Sequence, residues 1–187
     1  MTRPPRIDDD TLLMRLSRVF RQEGYDAASL GRLATATGLQ KASLYHRFPG
    51  GKAQMAREVL SAAHRWLDAH VLTPLRGDGP PAARIQAMIA ELDRFYEGGT
   101  QACLLNILSS PPMGQVPFDD LVRTALEDWA AALATALRDH GLASAEAESR
   151  AWRALAQVQG SLVLARGLGT PTPFQDCLAR LEGDLLG

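Results

Sequence analysis

Apolar residues recur at spacings of three and four along most of this chain and almost never alternate, which is the period of helices rather than strands. Glycine and proline divide the periodic runs. The first run places Leu12, Leu13, Leu16, Val19 and Phe20 on one face. It starts near Asp8, Asp9 and Asp10, whose carboxylates suit the positive end of a helix dipole, and it stops at Gly24. Ser29 can cap a second helix over 30–37, and Gly38 permits a tight turn into a third over 40–48. Pro49, Gly50 and Gly51 break the chain before a long helix over 52–75. After a loop over 77–81 the pattern predicts helices over 81–96, 103–110, 118–140, 145–168 (capped by Ser144) and 174–186. An irregular stretch over 109–114 follows the short 103–110 helix. The sum is an all-α chain of nine helices, without internal repeats or low-complexity tracts.

Composition narrows the class. Hydrophobic residues make up 46% and charged residues 22%, ordinary values for a globular protein. No apolar run reaches the roughly 18 residues that span a bilayer. The start, Met1 to Ile7 followed by three Asp, lacks the apolar stretch of a secretory signal. The two cysteines, Cys103 and Cys177, lie far apart without metal-ligand spacing, and a reducing cytoplasm is the expected compartment. The net charge of −1 conceals an asymmetry. Residues 1–57 hold ten of the twenty Lys and Arg but five of the twenty-one Asp and Glu, a local net of +5. The remainder carries −6. A positive head on a negative body favours a polyanion at one end only.

Residues 30–48 carry the chemistry. Two short helices that cross steeply need a small side chain at the contact, here Ala34, and a residue tolerant of positive φ in the turn, here Gly38. Leu33, Leu39 and Leu44 close a small core around the crossing. The other face of the second helix then shows Gln40, Lys41, Ser43, Tyr45 and His46, donors and cations without an acid, as a major-groove reader requires. Tyr45 packing between helices, and Lys41 or His46 on a merely solvated face, are the alternatives.

The stretch 13–60 resembles the DNA-binding head of the TetR family of regulators. The matching residues are Phe20, Gly24-Tyr25, Ser29, Leu33-Ala34, Gly38-Leu39, Leu44-Tyr45, Phe48 and Lys52. The Phe48-Pro49-Gly50-Gly51-Lys52 turn is one residue longer than the commoner family turn and looks like the LmrA/YxaF-type subgroup, as does the apolar segment around Cys103-Leu104-Leu105. The resemblance implies that Ser29 and Tyr45 bond phosphates, that Gln40, Lys41, Ala42 and Ser43 face base edges, and that Lys52 neutralises a phosphate. Arg47 stands where the family usually has His; it too can hold a phosphate. The resemblance further implies a DNA-binding domain over 1–51, a ligand-binding and dimerisation domain over 52–187, and a fourth helix connecting them.

The body carries weaker signals. Trp66, His70, Phe95, Tyr96, Asn106, Met113, Phe118 and Trp129 are candidates to line the small-molecule cavity that the resemblance implies; each is also an ordinary core residue. Trp66 and His70, four apart, share a face, and both are expected to point inward. Cys103 reads as a buried inert thiol, with a redox sensor as the alternative. His64, His70 and His140 lack paired carboxylates or metal spacing, so no metal site is expected. No nucleophile–base pair, phosphate-cradling glycine loop or carboxylate dyad points to an enzyme, and no cofactor is implied. On the eighth helix Leu155, Val158 and Leu162 recur as a seam, and the ninth adds Phe174, Leu178 and Leu181. The seam packs either on its own domain or, as the resemblance supports, across a two-fold axis. The expectation is a homodimeric repressor released from operator DNA by a small apolar or aromatic ligand. An activator or a ligand-independent DNA-binding protein is the alternative.

Overall fold

The computed structural model describes residues 7–108 and 118–187, and all their regular structure is helical. The chain runs through α1 (Asp9–Ala27), α2 (Leu30–Thr37) and α3 (Lys41–Arg47). Helix α4 begins as Gly51–Leu67, passes through a π-helical turn (Asp68–Leu72) and ends as Thr73–Leu75. Then come α5 (Pro81–Phe95), a 3₁₀ turn (Glu97–Gly99), α6 (Leu104–Leu108), α7 (Asp119–Asp139), α8 (Ser144–Leu168) and α9 (Thr172–Leu186).

Local chemistry sets most of these limits. The Asp8 carboxylate accepts from the Thr11 N–H at 2.8 Å, and the Ser29 hydroxyl accepts from the Arg32 N–H at 3.3 Å, each satisfying a free donor of a first helical turn. Helix α1 loses helical geometry at Gly24, where φ is 79°. Gly38 closes α2 in the left-handed conformation, φ 72°, the turn that a side chain would strain. Ser144, expected as a cap, is instead the first residue of α8, and Ala143 holds the cap position without a side-chain bond.

Burial gathers the helices around two cores. The first joins α1, α2, α3 and the start of α4 through Leu16, Phe20, Leu33, Leu44, Phe48 and Met55, and extends to Leu104, Leu108 and Phe118 of the body. The second fills the space among the end of α4, α5, α7, α8 and α9, with Trp129, Leu133, Leu155, Val158 and Phe174 at its centre. Helix α4 takes part in both: Met55 to Leu60 in one, Leu67 to Leu75 in the other. The head is therefore seated on α6 and the start of α7, not merely tethered. Arg84, only 7% exposed, pins the second core by donating to the Leu75 and Gly77 carbonyls at 2.8 Å and to the Asp139 carboxylate at 2.7 Å.

Candidate DNA interface and the cleft behind it

Helix α3 buries one residue, Leu44, and leaves Gln40, Lys41, Ala42, Ser43, Tyr45 and His46 exposed. The exposed set contains no carboxylate. Gln40 occupies the cap position of α3 but makes no capping bond with its side chain, so the amide is open to an outside partner. The Tyr45 ring leans on the start of α4, 3.7 Å from where a Cβ on Gly51 would sit, while the residue stays 49% exposed. Lys41 and Ser29 converge on the N-terminus of α2. The Ser29 hydroxyl and the Lys41 stem lie 3.7 and 3.8 Å from the place of a Cβ on Gly31. Ser29 accepts a bond as the cap of α2, which leaves its O–H to donate. A cation, a hydroxyl donor and a helix N-terminus at one spot suit a phosphate.

Two residues expected to contact phosphates have partners within the head. The Arg47 guanidinium bonds Asp9 at 3.3 Å and Glu58 at 3.1 Å and lies 4.7 Å over the Phe48 ring. It ties α3 to α1 and α4, and two carboxylates already occupy it. The Lys52 ammonium donates to the carbonyls of Tyr25 at 2.7 Å and Asp26 at 3.2 Å, with the Tyr25 ring 4.5 Å away. Its charge is turned back onto the end of α1. Both residues hold the head together.

The body residues expected around one cavity are dispersed. Tyr96 and Trp129 are buried within the second core, and the Tyr96 hydroxyl donates to the Cys103 sulfur at 3.4 Å. Burial pushes the Tyr96 hydroxyl well above its ordinary pKa, with the neighbouring Cys103 adding to the shift. Phe118 is buried on the head side, edge-on to Tyr25 at 5.4 Å. Asn106 is exposed in a groove between α6 and α8. Met113 lies outside the described residues. His70 is exposed rather than inward: it stacks on Trp66 at 4.6 Å, and its Nδ1 lies 2.9 Å from the Trp66 carbonyl. The spacing of four does put the two rings on one face. The wide π turn around His70 then changes the helical register, so the inward face of the first part of α4 is not continued. His64 does meet a carboxylate, Asp128 of α7, at 3.2 Å. Among the described residues no three His, Cys, Asp or Glu gather closely enough to hold a metal.

What the structure does form is a cleft of about 1010 Å³ between α1 and the body. Trp66 and Phe95 lie in its wall, stacked at 4.3 Å, with Met14, Arg18 and Arg21 on the head side and Leu162, Arg166 and Pro171 across from them. The 3₁₀ turn borders it because Gly99 brings the backbone onto α9. A Cβ at Gly99, where φ is 95°, would lie 2.8 Å from the Phe174 Cβ.

Helices α8 and α9 take the first of the two packings expected for their seam. Leu155, Val158, Leu162, Phe174, Leu178 and Leu181 are all buried against their own domain. The open face of α8 is a second stripe, with Trp152, Val163, Leu164 and Leu168 exposed. Gly160 and Gly167 stand among them with no atom near their Cβ positions.

Two stretches of the chain match known protein families. Residues 13–59 match the model of bacterial regulatory proteins of the tetR family. Residues 81–180, more than half the chain, match the C-terminal domain of LmrA/YxaF-like transcriptional regulators. The chain belongs to the TetR family of transcriptional regulators. Within that family it falls in the LmrA/YxaF-like subgroup: it is 25% identical over 170 residues to the HTH-type transcriptional regulator LmrA of Bacillus subtilis, spanning 88% of this chain and 89% of that protein. A TetR transcriptional regulator from Legionella pneumophila has the same fold, with a TM-score of 0.82, 21% identity and coverage of 98% and 100% of the two chains. So does CifR, a TetR-family regulator solved as a cysteine mutant with 26-bp double-strand operator DNA, with a TM-score of 0.73, 22% identity and coverage of 97% and 98%. As a TetR-family regulator the protein binds DNA through its helix-turn-helix and is not an enzyme. No helix of the described residues is long and apolar enough to cross a membrane.

Two features of this TetR-family chain escaped the sequence reading. Arg21, on the flank of α1, carries no local sequence signal and reaches the Ala102 carbonyl of the body. Only the long-range fold brings them together. The second is the outer stripe of α8. Its signal was present, since α8 is apolar on two sides, and such a helix packs on both.

Proposed function

We propose that the protein is a repressor that binds a palindromic operator as a homodimer and is released by a small aromatic or apolar effector. The observation that carries the DNA part is the acid-free exposed face of α3, with Gln40, Ala42 and Ser43 toward base edges, Tyr45 and His46 beside them, and Lys41 with Ser29 toward a phosphate. Arg47, through Asp9 and Glu58, and Lys52, through the end of α1, brace the head that carries that face. The operator-bound neighbour CifR supports the same partner.

A two-fold dimer would present two copies of α3 to successive major grooves about 34–36 Å apart. The outer stripe of α8 is the surface for that contact. It is apolar and free of carboxylates at Trp152, Ala156, Gly160, Val163, Leu164, Gly167 and Leu168, and its glycines let a second helix approach closely. The effector would occupy the cleft against Trp66 and Phe95. Because α1 of the head forms one wall, a compound wedged there prefers one head orientation, and linkage then weakens DNA binding by the same factor that DNA weakens the compound.

The test is selection of bound duplexes from a random pool, followed by a reporter gene behind the recovered sequence. The proposal expects two inverted half-sites with centres one helical turn or a multiple apart, and reporter expression that rises when the protein is removed. An enriched single site without symmetry, or expression that falls on removal, contradicts the dimeric repressor.

A further inference from the structure

The cleft carries more positive charge than a neutral aromatic effector requires. Four arginines, Arg18, Arg21, Arg94 and Arg166, line it against one carboxylate, Glu97. Two of them, Arg94 and Arg166, come from the part of the chain that is acidic overall. Glu91 pairs with Arg94 at 2.7 Å. The side chains of Arg18 and Arg166 make no hydrogen bond or ion pair with another described residue.

Arg21 is the most unusual of the four. Its Nε donates to the Ser17 hydroxyl at 3.3 Å, its Nη1 donates to the Ala102 carbonyl, and its guanidinium carbon lies 5.1 Å from the centroid of the Phe95 ring. None of these partners is a carboxylate, and Nη2 donates to no described residue. Glu97 acts on it only through space, as do Tyr96 and Cys103. Burial dominates and lowers its pKa, the mark of a cation that has lost water without gaining an anion. Such a group binds an incoming carboxylate strongly, because the anion supplies the missing charge in a partly dry site. Trp66 and Phe95, stacked on each other, border the same space and offer apolar surface beside the guanidinium.

We propose that the cleft takes an aromatic carboxylate, with its ring against Trp66 and Phe95 and its carboxylate on Arg21. This rests on the reading of the cleft as the effector site and gives that effector its charge. Arg21 belongs to α1 of the head, and its present partner, the Ala102 carbonyl, belongs to the body. A ligand carboxylate on the free Nη2 therefore engages the one guanidinium that already bonds head to body, which couples occupancy to their relative placement. Arg18 and Arg166, on opposite walls, add attraction without a fixed geometry.

The test compares three probes of one shape on the full chain, 2-naphthoate, 2-naphthamide and 2-naphthylmethylammonium, by calorimetry and by quenching of tryptophan fluorescence. The proposal expects 2-naphthoate to bind at least tenfold tighter than the amide, with the ammonium weakest. Arg21→Met should remove that preference while leaving amide binding in place, and Arg21→Lys should restore part of it. If Arg21 variants do not fold, Arg18→Gln and Arg166→Gln, both on exposed residues, should each weaken 2-naphthoate several-fold and the amide little. Equal binding of acid and amide, tightest binding of the ammonium, or no binding of the acid at millimolar concentration overturns the proposal. Anisotropy of labelled operator in the same samples separates the two readings. A charge-selective site that leaves DNA affinity unchanged keeps the anion site and refutes its role as effector site. Intact operator binding without any naphthoate binding refutes the anion site and keeps the regulator.

Discussion

Two leucines of α8 should respond in opposite ways to the same change. Leu155 is 3% exposed and sits in the core of the body, whereas Leu164 is 57% exposed on the outer stripe. Leu155→Ala removes buried methyl groups and leaves a cavity, which costs about 2–5 kcal/mol. For a chain of this size that lowers the melting temperature by about 6–12 °C at a midrange loss of about 3 kcal/mol. Leu164→Ala removes little from the isolated chain, within about 0.5 kcal/mol. In the proposed dimer its effect falls on association. Burying a leucine completely stabilises by about 1.5–3 kcal/mol, and here 57% of it remains to be covered. Two-fold symmetry doubles the loss to about 2–3 kcal/mol, or about 30- to 150-fold in the dimer dissociation constant. Sedimentation gives that constant. Melting followed by circular dichroism at several protein concentrations gives the stability, because the melting point of an associating protein depends on concentration. The proposed outer interface on α8 is refuted if Leu155→Ala weakens self-association with its melting point unchanged, or if Leu164→Ala lowers the melting point and leaves self-association intact.

Three further outcomes follow from the placed side chains. Arg47→Met should lower stability by about 0.5–1 kcal/mol, discounted for its partial exposure, and leave the salt dependence of DNA binding unchanged, which titration at several salt concentrations will check. Gly99→Ala should destabilise by more than about 1 kcal/mol in denaturant unfolding, since a Cβ there meets Phe174 and the backbone stands at positive φ. The Arg57 guanidinium holds the Asp120 carboxyl below its ordinary pKa, so their pairing stabilises the fold above the unfolded value, and the gain disappears as pH falls through the folded one. Asp120→Asn should therefore flatten the fall in melting temperature below about pH 4.

Helix limits and the helix-turn-helix were legible because their causes are local. The first helix buries Leu12, Leu13, Leu16, Val19 and Phe20, the face its spacing predicts, and Ser29 and Gly38 sit at their helix ends as expected. The exposed face of α3 was legible for the same reason. Arg47, Lys52 and His64 were not, because their partners lie 38, 27 and 64 positions away in the chain and no local pattern marks a pairing at that distance. Periodicity also fails at the π turn of α4, where the register changes and leaves His70 outside. On α8 the period is correct but degenerate. Leu155 and Leu164 belong to two apolar stripes of one helix, and only packing tells which one the body covers.

Whether α3 reads base sequence is decided by Gln40→Ala. Gln40 is exposed and makes no capping bond, so its loss leaves the head folded. The measurement is the ratio of affinities for the selected operator and for a scrambled duplex of the same length and salt, with wild type and variant side by side. A bidentate amide contact to a base discriminates by about 1–3 kcal/mol in each half-site. The ratio should fall at least tenfold in the variant while affinity for the scrambled duplex stays the same. An unchanged ratio would contradict this and place sequence reading on some surface other than α3.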